Sequence, residues 1–514
     1  MGVSRPQTMN PPADMADDVL ARFSDFIAAH TGLHFPRKQW NSLERGMACA
    51  AREFGFEDPE SCLQWIMSSP LSREQIEILA RHLTVGETYF LREKRSLEIF
   101  EEEIVPELIR TRREDERHLR IWCAGCSTGE EPFSVAILLK AMGAALQDWN
   151  ISILGTDINP HALGRGAEGV YGEWSFRSPP HGFRDKYFRR TGEGRFAILP
   201  QIRKMVSFSY LNLAEDVYPS LLNNTNAMDV IFCRNVLMYF TPDRARMVVE
   251  RLHRSLVDGG WLIVSPCEAS QLLFSQFKAV NFSDAILYRK ESAGVGGQGA
   301  VPRDLGLADA RQFVPIPPLP AGIRFPPPPL RAPIPRPPVP DSRPSFSASR
   351  SLPPYEEALA LYERGCYPEA EEKLAAFLTA NREDAEATVL QCRVCANQGK
   401  LAEARELLEQ AISADRLKAG LHYLRAMILQ EQGATDEAVA SLKRALYLDQ
   451  DLVLAHFSLG NLALRQRKMK ESRKHFANAL SLLDRYGPAD ILPESEGLPA
   501  GRLREIIRTT AVST

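Results

Sequence analysis

Between residues 315 and 340 the chain reads PIPPLPAGIRFPPPPLRAPIPRPPVP, with about every second residue a proline. Proline lacks an amide donor and has a fixed φ, so such a run neither continues a helix nor takes a central place in a sheet. The 514-residue chain must therefore fold as separate parts on either side of an extended, polyproline-biased spacer, expected over 291–350. The same run would also suit an SH3-like partner, but a spacer is the plainer reading.

Composition excludes several classes. Hydrophobic residues at 44% and charged residues at 25% are globular values, and Lys+Arg 62 against Asp+Glu 65 lacks the basic excess of a nucleic-acid binder. The opening MGVSRPQTMNPPADMADD has no apolar core of a signal peptide, and no run approaches the roughly 18 apolar residues of a membrane span. A cytoplasmic location is the expectation. Nine cysteines then read as reduced thiols. The pairs Cys123/Cys126 and Cys392/Cys395 could share a zinc ion only by joining different domains, so no metal site is expected. Cys392 and Cys395 read as helix packing, whereas Cys123-Ala-Gly-Cys126 follows a strand and keeps a thioredoxin-like redox reading open.

Residues 1–17 are expected to lack structure. From 18 to 81, apolar Leu20, Phe23, Phe26, Ile27, Trp40, Leu43 and Met47 recur with helical spacing and predict a small helical domain. Over 82–290 the period changes. HLRIWCAG, ISILGTDIN, MDVIFCRN, GGWLIVSP and AILYRK are short apolar strands separated by helical or loop segments, which predicts an α/β Rossmann-like domain with a mainly parallel sheet.

Beyond the spacer a 34-residue period appears at Gly365, Gly399 and Gly433, at Ala370, Ala404, Ala438 and Ser472, and at Leu374, Leu408, Leu442 and Phe476. Ala411, Ala445 and Ala479 keep it too. Small residues in turns and at helix contacts are what stacked helical hairpins need, and the segment resembles tetratricopeptide repeats over 351–485, an all-α solenoid. A tail is expected over 486–514. Such a module takes an unknown protein or peptide as partner. It is expected either to hold a partner near the rest of the chain or to cover its cleft.

The most telling stretch is Leu119-Arg-Ile-Trp-Cys-Ala-Gly-Cys-Ser-Thr-Gly-Glu-Glu-Pro-Phe-Ser134, a strand breaking into a glycine turn and then a helix. Gly125 and Gly129 let a ligand approach the backbone, and a tight connection would explain them equally well. It would not explain Glu130 and Glu131 at the helix start. Carboxylates there disfavour a pyrophosphate and suit a cationic ligand such as S-adenosylmethionine. The next strand ends in Gly155-Thr-Asp157-Ile-Asn159, where Asp157 is placed to accept ribose hydroxyls; its competing role is a helix N-cap before Pro160. Asn235 in Cys233-Arg-Asn-Val-Leu-Met-Tyr239 falls beside the same cleft. It lacks the Pro-Pro-aromatic sequence of enzymes that methylate bases.

Leu83-Thr-Val-Gly-Glu-Thr-Tyr-Phe-Leu-Arg92-Glu, Cys126-Ser-Thr-Gly-Glu-Glu-Pro-Phe-Ser134, Gly155-Thr-Asp-Ile-Asn159 and Cys233-Arg-Asn-Val-Leu-Met-Tyr-Phe240 together resemble the CheR family of chemotaxis receptor methyltransferases. The resemblance covers about 18–290. It implies a helical domain before a methyltransferase domain with a small antiparallel insertion, placed at about 177–209. It implies S-adenosylmethionine as methyl donor, receptor glutamates as acceptors, and the cytoplasmic domain of a chemoreceptor as partner. Cofactor contacts are implied from Thr88, Arg92, Glu130, Asp157, Asn212, Leu213, Asn235 and Val236, with Arg92 and Tyr239 near the transferred methyl. Many members carry Asn where Gly86 stands, so that side-chain contact is absent here. Glu130 is favoured over Glu131 for the cofactor.

Lys38, Arg45 and Arg52, seven residues apart, are read as one basic face, either solvated or docking on acidic receptor helices. Two rivals remain: a catalytically idle scaffold or sensor acting through its repeats, and an enzyme acting on another substrate.

Overall fold

The computed structural model describes residues 17–69, 71–113, 117–192, 194–291, 353–381, 384–495 and 498–512. The segment expected to precede the helical domain and nearly all of the spacer lie outside them.

The first apolar pattern forms α1 (Asp17–Thr31), α2 (Trp40–Glu53), α3 (Pro59–Met67) and α4 (Arg73–Leu83). They close around Phe23, Ile27, Leu43, Met47, Leu63 and Leu79. Asp58 caps α3 by accepting the Glu60 and Ser61 amides, and a Ser72/Gln75 capping box starts α4. The domain runs to Leu83, slightly past the expected boundary at 81. Lys38 belongs to a short 3-10 turn, Arg37–Gln39, ahead of α2, so only Arg45 and Arg52 share a helix; all three are exposed.

Helices α5 (Lys94–Ile99) and α6 (Val105–Thr111), joined by one π turn, lead into β1 (His118–Ala124), α7 (Glu130–Ala141), β2 (Asn150–Asp157) and α8 (Pro160–Glu168). An insertion follows, with β3 (Val170–Tyr171), α9 (Phe183–Tyr187), β4 (Phe188–Gly192), β5 (Arg195–Ile198) and α10 (Pro200–Arg203). The chain then returns to β6 (Val206–Tyr210), β7 (Met228–Cys233), α11 (Pro242–Ser255), β8 (Leu256–Val264), β9 (Lys278–Phe282) and β10 (Ala285–Arg289). The main sheet has the order β6-β2-β1-β7-β8-β10-β9. Its first five strands are parallel, and β10 runs antiparallel to both neighbours. Every residue of β7 and all but the first of β1 are buried, as a parallel sheet covered on both faces requires. Strand order reverses between β1 and β7, and a crevice opens there at their carboxyl ends.

The insertion is the antiparallel sheet β3-β5-β4. It begins earlier than the expected 177, its last strand ends at Ile198, and residues 206–209 belong instead to the edge strand of the main sheet. The insertion folds on aromatic contacts: the Phe90 ring lies 4.9 Å from Tyr171, 5.1 Å from Phe176 and 4.9 Å from Phe188.

At the other end of β1, Arg112 donates from Nη1 to His118 Nε2 (3.0 Å), which leaves no place for a proton there. Burial and then the Arg112 and Arg120 charges push His118 down to about 3, and burial and then Lys290 push His253 down to about 4. An unfolded histidine titrates near about 6.5, so both bind protons more readily in the unfolded chain. Their contribution to stability is present above that pH and is lost as pH falls towards the folded values. Thermal melts between neutral pH and pH about 4 should therefore show a smaller loss in His253→Phe than in wild type, by about 2 to 3 kcal/mol. Identical pH slopes would refute this.

The second half is a solenoid of hairpins, α12 (Pro354–Glu363) with α13 (Tyr367–Ala380), α14 (Ala385–Asn397) with α15 (Leu401–Ala414), α16 (Ala419–Glu431) with α17 (Thr435–Leu448), and α18 (Val453–Arg465) with α19 (Met469–Leu483). The periodic Ala370, Ala404, Ala438 and Ser472 are buried at helix contacts, and Gly365, Gly399 and Gly433 take positive φ in the turns. The expected tail contains α20 (Ala500–Val512), which places Leu503 and Ile507 on the last repeat.

The turn glycines abut the sheet domain. A Cβ on Gly365 would meet Arg254, on Gly399 Val257, and on Gly433 Asn150. Asn150 Nδ2 donates to the Glu431 carbonyl (3.1 Å) and Asn226 Nδ2 to Glu431 Oε1 (3.1 Å), with Arg120 3.7 Å from the same carboxylate. Leu221 and Leu222 insert into solenoid cores. Asn150, Arg120 and Val257 lie at the amino ends of β2, β1 and β8, so the turns dock at the edge opposite the crevice. Covering of the crevice by the repeats is not the arrangement seen.

Candidate cofactor cleft

Where β1 ends, the chain turns sharply into α7 through Gly125 (φ +78°) and Gly129 (φ +90°). The Gly125 and Cys126 amides donate to the Thr156 carbonyl (2.8 and 2.9 Å), and the Ser127 amide donates to Asp157 Oδ2 (2.8 Å). Asp157 Oδ1 accepts the Asn159 amide (2.9 Å). The carboxylate thus ties the β1 turn to the tip of β2. Burial raises its pKa, while the Asn159, Ser127 and Ile158 amides act in the other direction. The competing N-cap role falls to Asn159, which accepts the His161 and Ala162 amides.

At the end of β7, Asn235 takes φ +57°. Glu268 holds that turn: its oxygens accept the Asn235, Val236 and Met238 amides at 2.7, 2.8 and 3.2 Å, and Asn235 Nδ2 donates to Ser265 Oγ (2.9 Å). Glu268 was not among the expected site residues, although Ser265-Pro-Cys-Glu268 has the spacing of a capping box and forms one.

The third wall is the segment after α4. Leu91 (φ +57°) and Glu93 (φ +52°) occupy the left-handed region, a strain of about 1–3 kcal/mol each that only a tight surrounding sustains. Phe90 is locked among the insertion's aromatics, and the Leu91 amide donates to Ser134 Oγ (3.0 Å). Buried Arg234 ties the rest, donating to the Arg92 carbonyl and pairing with Glu93 (3.3 Å) and Glu131 (3.4 Å). This ion network was also missed, because its members are far apart in the chain.

These walls enclose a recess of about 50 Å³ lined by Thr88, Arg92, Gly125, Ser127, Glu131 and Asn235 among others. Arg92 Nη1 donates to the Glu87 carbonyl (2.8 Å). Val236 packs where a Cβ on Gly125 would stand. Glu130, favoured from the sequence, does not line the recess. It is buried in bonds from Thr128 (2.6 Å) and Ser175 (2.9 Å), so the second carboxylate is the one facing the recess. Asn212 and Leu213 sit on the loop after β6, whose Leu211 amide donates to the Asp157 carbonyl (3.1 Å). The Asn212 side chain accepts the Ala214 amide (3.0 Å) and Leu213 is buried. Tyr239 packs against the N-terminal helical core, its carbonyl accepting the His34 amide (2.7 Å). Burial raises the phenol's pKa, and the Arg92 charge opposes this.

Cys123 and Cys126 lie in the sheet domain's core, where burial holds both thiols protonated, and Cys392 and Cys395 lie in the solenoid core, pushed up to about 12. Two pairs in separate cores make neither a shared zinc site nor a reactive thiolate.

A recess lined by the carboxylates of Glu87 and Glu131 and the guanidinium groups of Arg92 and Arg234 suits the ammonium and carboxylate of an amino-acid ligand. The parallel sheet, the glycine turn at its switch point and this donor set define an S-adenosylmethionine-dependent methyltransferase. Residues 86–286 match the family described as CheR methyltransferase, SAM binding domain, and 355–419, 393–453 and 423–489 match the tetratricopeptide repeat. The chain is 32% identical over 219 residues to chemotaxis protein methyltransferase 1 of Pseudomonas aeruginosa, covering 41% of this chain and 77% of that protein. It is 29% identical over 280 residues to chemotaxis protein methyltransferase 2 of Vibrio cholerae (54% and 95%), and 29% over 310 residues to the probable biofilm formation methyltransferase WspC of P. aeruginosa (58% and 70%). The chain belongs to the CheR methyltransferase family. Among the described residues, no helix is long and apolar enough to cross a membrane.

Proposed function

We propose that the chain esterifies glutamate side chains on the cytoplasmic domain of a chemoreceptor, giving the methyl ester and S-adenosylhomocysteine. The observation that carries this reading is the chemistry of the recess. It holds Arg92 and Arg234 but no histidine or lysine; its one thiol, Cys126, is kept protonated, and its carboxylates, Glu87 and Glu131, are paired with Arg177 (3.0 Å) and Arg234 (3.4 Å). An alcohol or amine acceptor would need a base there. A glutamate, with a pKa near about 4.3, arrives as the nucleophile already.

S-adenosylmethionine, when bound, supplies an electrophilic methyl group. Glu131 would take its ammonium group, Thr88 and Arg92 its carboxylate side, and Asp157 its ribose. Arg92 also orients the acceptor carboxylate by a charge-assisted hydrogen bond, and Tyr239 closes the side towards the N-terminal helices. Incubation with radiolabelled cofactor and a receptor cytoplasmic domain should yield base-labile label on glutamate. A cofactor titration with no binding would instead favour the idle scaffold.

The choice between the adjacent acids is testable. Glu131→Gln should weaken cofactor binding by about tenfold or more, since an ionised partner is lost. Glu130→Gln, which can keep its bonds from Thr128 and Ser175, should change it by less than about threefold. The reverse ranking would overturn the assignment.

Arg45 and Arg52, exposed on α2, would be the cations that meet acidic receptor helices. Reversing both to glutamate should raise KM for the receptor by about tenfold with kcat unchanged. An unaltered KM would leave them a solvated face.

A further inference from the structure

A second, larger cavity shares no lining residue with the cofactor recess. It has a volume of about 1660 Å³ and lies between the first helices of the repeats and the free edge of the main sheet. One wall is β6, whose residues Val206–Tyr210 all line it and whose sole sheet partner among the described residues is β2. The opposite wall is the inner face of the solenoid, where Tyr355, Val389 and Phe457 recur in repeat register.

The lining is strongly basic. It includes nine lysine and arginine residues but four acids. Three of those acids are already engaged, Asp216 by Arg251 (2.9 Å), Glu431 by Arg120 (3.7 Å) and Glu494 by Arg393. Arg203, Lys204, Lys418, Arg465 and Arg467 have no acid within ion-pair distance among the described residues. Arg465, at the end of α18, is open to the cavity's water yet surrounded by protein. That enclosure, and then the Arg120 charge, lower its pKa, and an anion beside Arg465 would offset both.

We propose that this cavity binds an extended acidic peptide segment of a partner protein, laid along the β6 edge with its carboxylates on Arg465 and the neighbouring cations. The edge strand offers main-chain pairing, the apolar repeat positions offer contacts for alternate side chains, and the excess positive charge selects acidic sequences. The proposal concerns a second site, separate from the recess where the methyl acceptor binds, and it does not depend on what that acceptor is.

The test uses the full chain and a short labelled peptide of alternating aspartate and alanine, which offers no glutamate to the recess. Fluorescence anisotropy should show binding that weakens as salt is raised and by about tenfold or more in Arg465→Glu. The asparagine counterpart should bind at least about tenfold more weakly. Hydrogen exchange at residues 206–210 should slow when the aspartate peptide is added, and methyl transfer by Arg465→Glu should match wild type. Equal binding of the two peptides, no loss in Arg465→Glu, or unchanged exchange along β6 would each overturn the proposal. Competition by inorganic phosphate alone at the peptide's own concentration would show a small-anion site and overturn it as well.

Discussion

Gly125→Ala should weaken cofactor binding by about 30-fold or more, with the sheet domain still folded. At φ +78° an alanine enters the left-handed region, at a cost of about 1–2 kcal/mol. Its Cβ would stand 2.3 Å from Val236 Cγ2, so Val236 must also move. Overpacking of this kind costs about 1–3 kcal/mol. Val236 is not free to give way, because its amide is held by Glu268 at 2.8 Å. The strain falls on the turn that lines the recess, and the expected loss of affinity is about 30-fold to 5,000-fold, these energies in ratio form. Val236→Ala should restore part of it in the double variant, since it removes the clash and leaves the φ penalty. Wild-type affinity in Gly125→Ala, measured by calorimetry, would mean that the turn does not meet the cofactor.

The parts of this arrangement that were legible in the sequence share a physical cause. β1, β2, β7 and β8 carry continuous apolar runs because a parallel sheet buries both faces, and the 34-residue period is visible because each hairpin repeats the same small-residue contacts. β6 was not legible. Val206-Ser-Phe-Ser-Tyr210 is half-buried throughout, as an edge strand is, and its mixed polarity hid it inside the expected insertion. The three strands of the insertion are too short, at two to five residues, to show a period. α20 escaped notice because it lies beyond the last repeat, although Leu503 and Ile507 are spaced to share one helix face.

In the cleft, motifs located Thr88, Arg92, Asp157 and Asn235, but motif order cannot say which way a side chain turns. Glu130 and Glu131 are neighbours at the start of one helix, so about 100° of helical rotation separates them. That rotation sends one towards Ser175 and the other towards Arg234. Asp157 likewise turned out to hold the backbone of the turn, through the Ser127 and Asn159 amides. Asp157→Asn is therefore a cleaner probe than Asp157→Ala. The contact of the repeats with the sheet rests on Asn150, Asn226 and Arg120 meeting Glu431 across more than 200 residues of chain, which no local pattern announces.

Arg92→Ala should lower methyl transfer about 100-fold or more while leaving the fold intact. The side chain reaches the recess from a segment whose neighbours are fixed independently: Phe90 by the insertion's rings, the Arg92 carbonyl by Arg234, and Glu93 by Arg234 and Ser265. Removing the guanidinium deletes one bond to the Glu87 carbonyl, about 0.5–1.5 kcal/mol of local stability, and leaves those anchors in place. Arg234 cannot take over, since Glu93 and Glu131 already hold it. With Arg92 gone, an anionic acceptor entering beside Glu131 would meet net negative charge and no partner to set its angle. Misplacement of a reacting atom by about 1 Å is worth about 100-fold in rate, or roughly 2.7 kcal/mol. The split between kcat and cofactor affinity identifies the role. A drop in kcat at saturating cofactor assigns Arg92 to the acceptor, whereas a change confined to cofactor Kd makes it a clamp on the cofactor's carboxylate. Arg92→Lys, which keeps the charge but loses the planar fork, should recover only part of the rate. Near-normal turnover in Arg92→Ala would remove Arg92 from the reaction and leave its bond to Glu87 as its function.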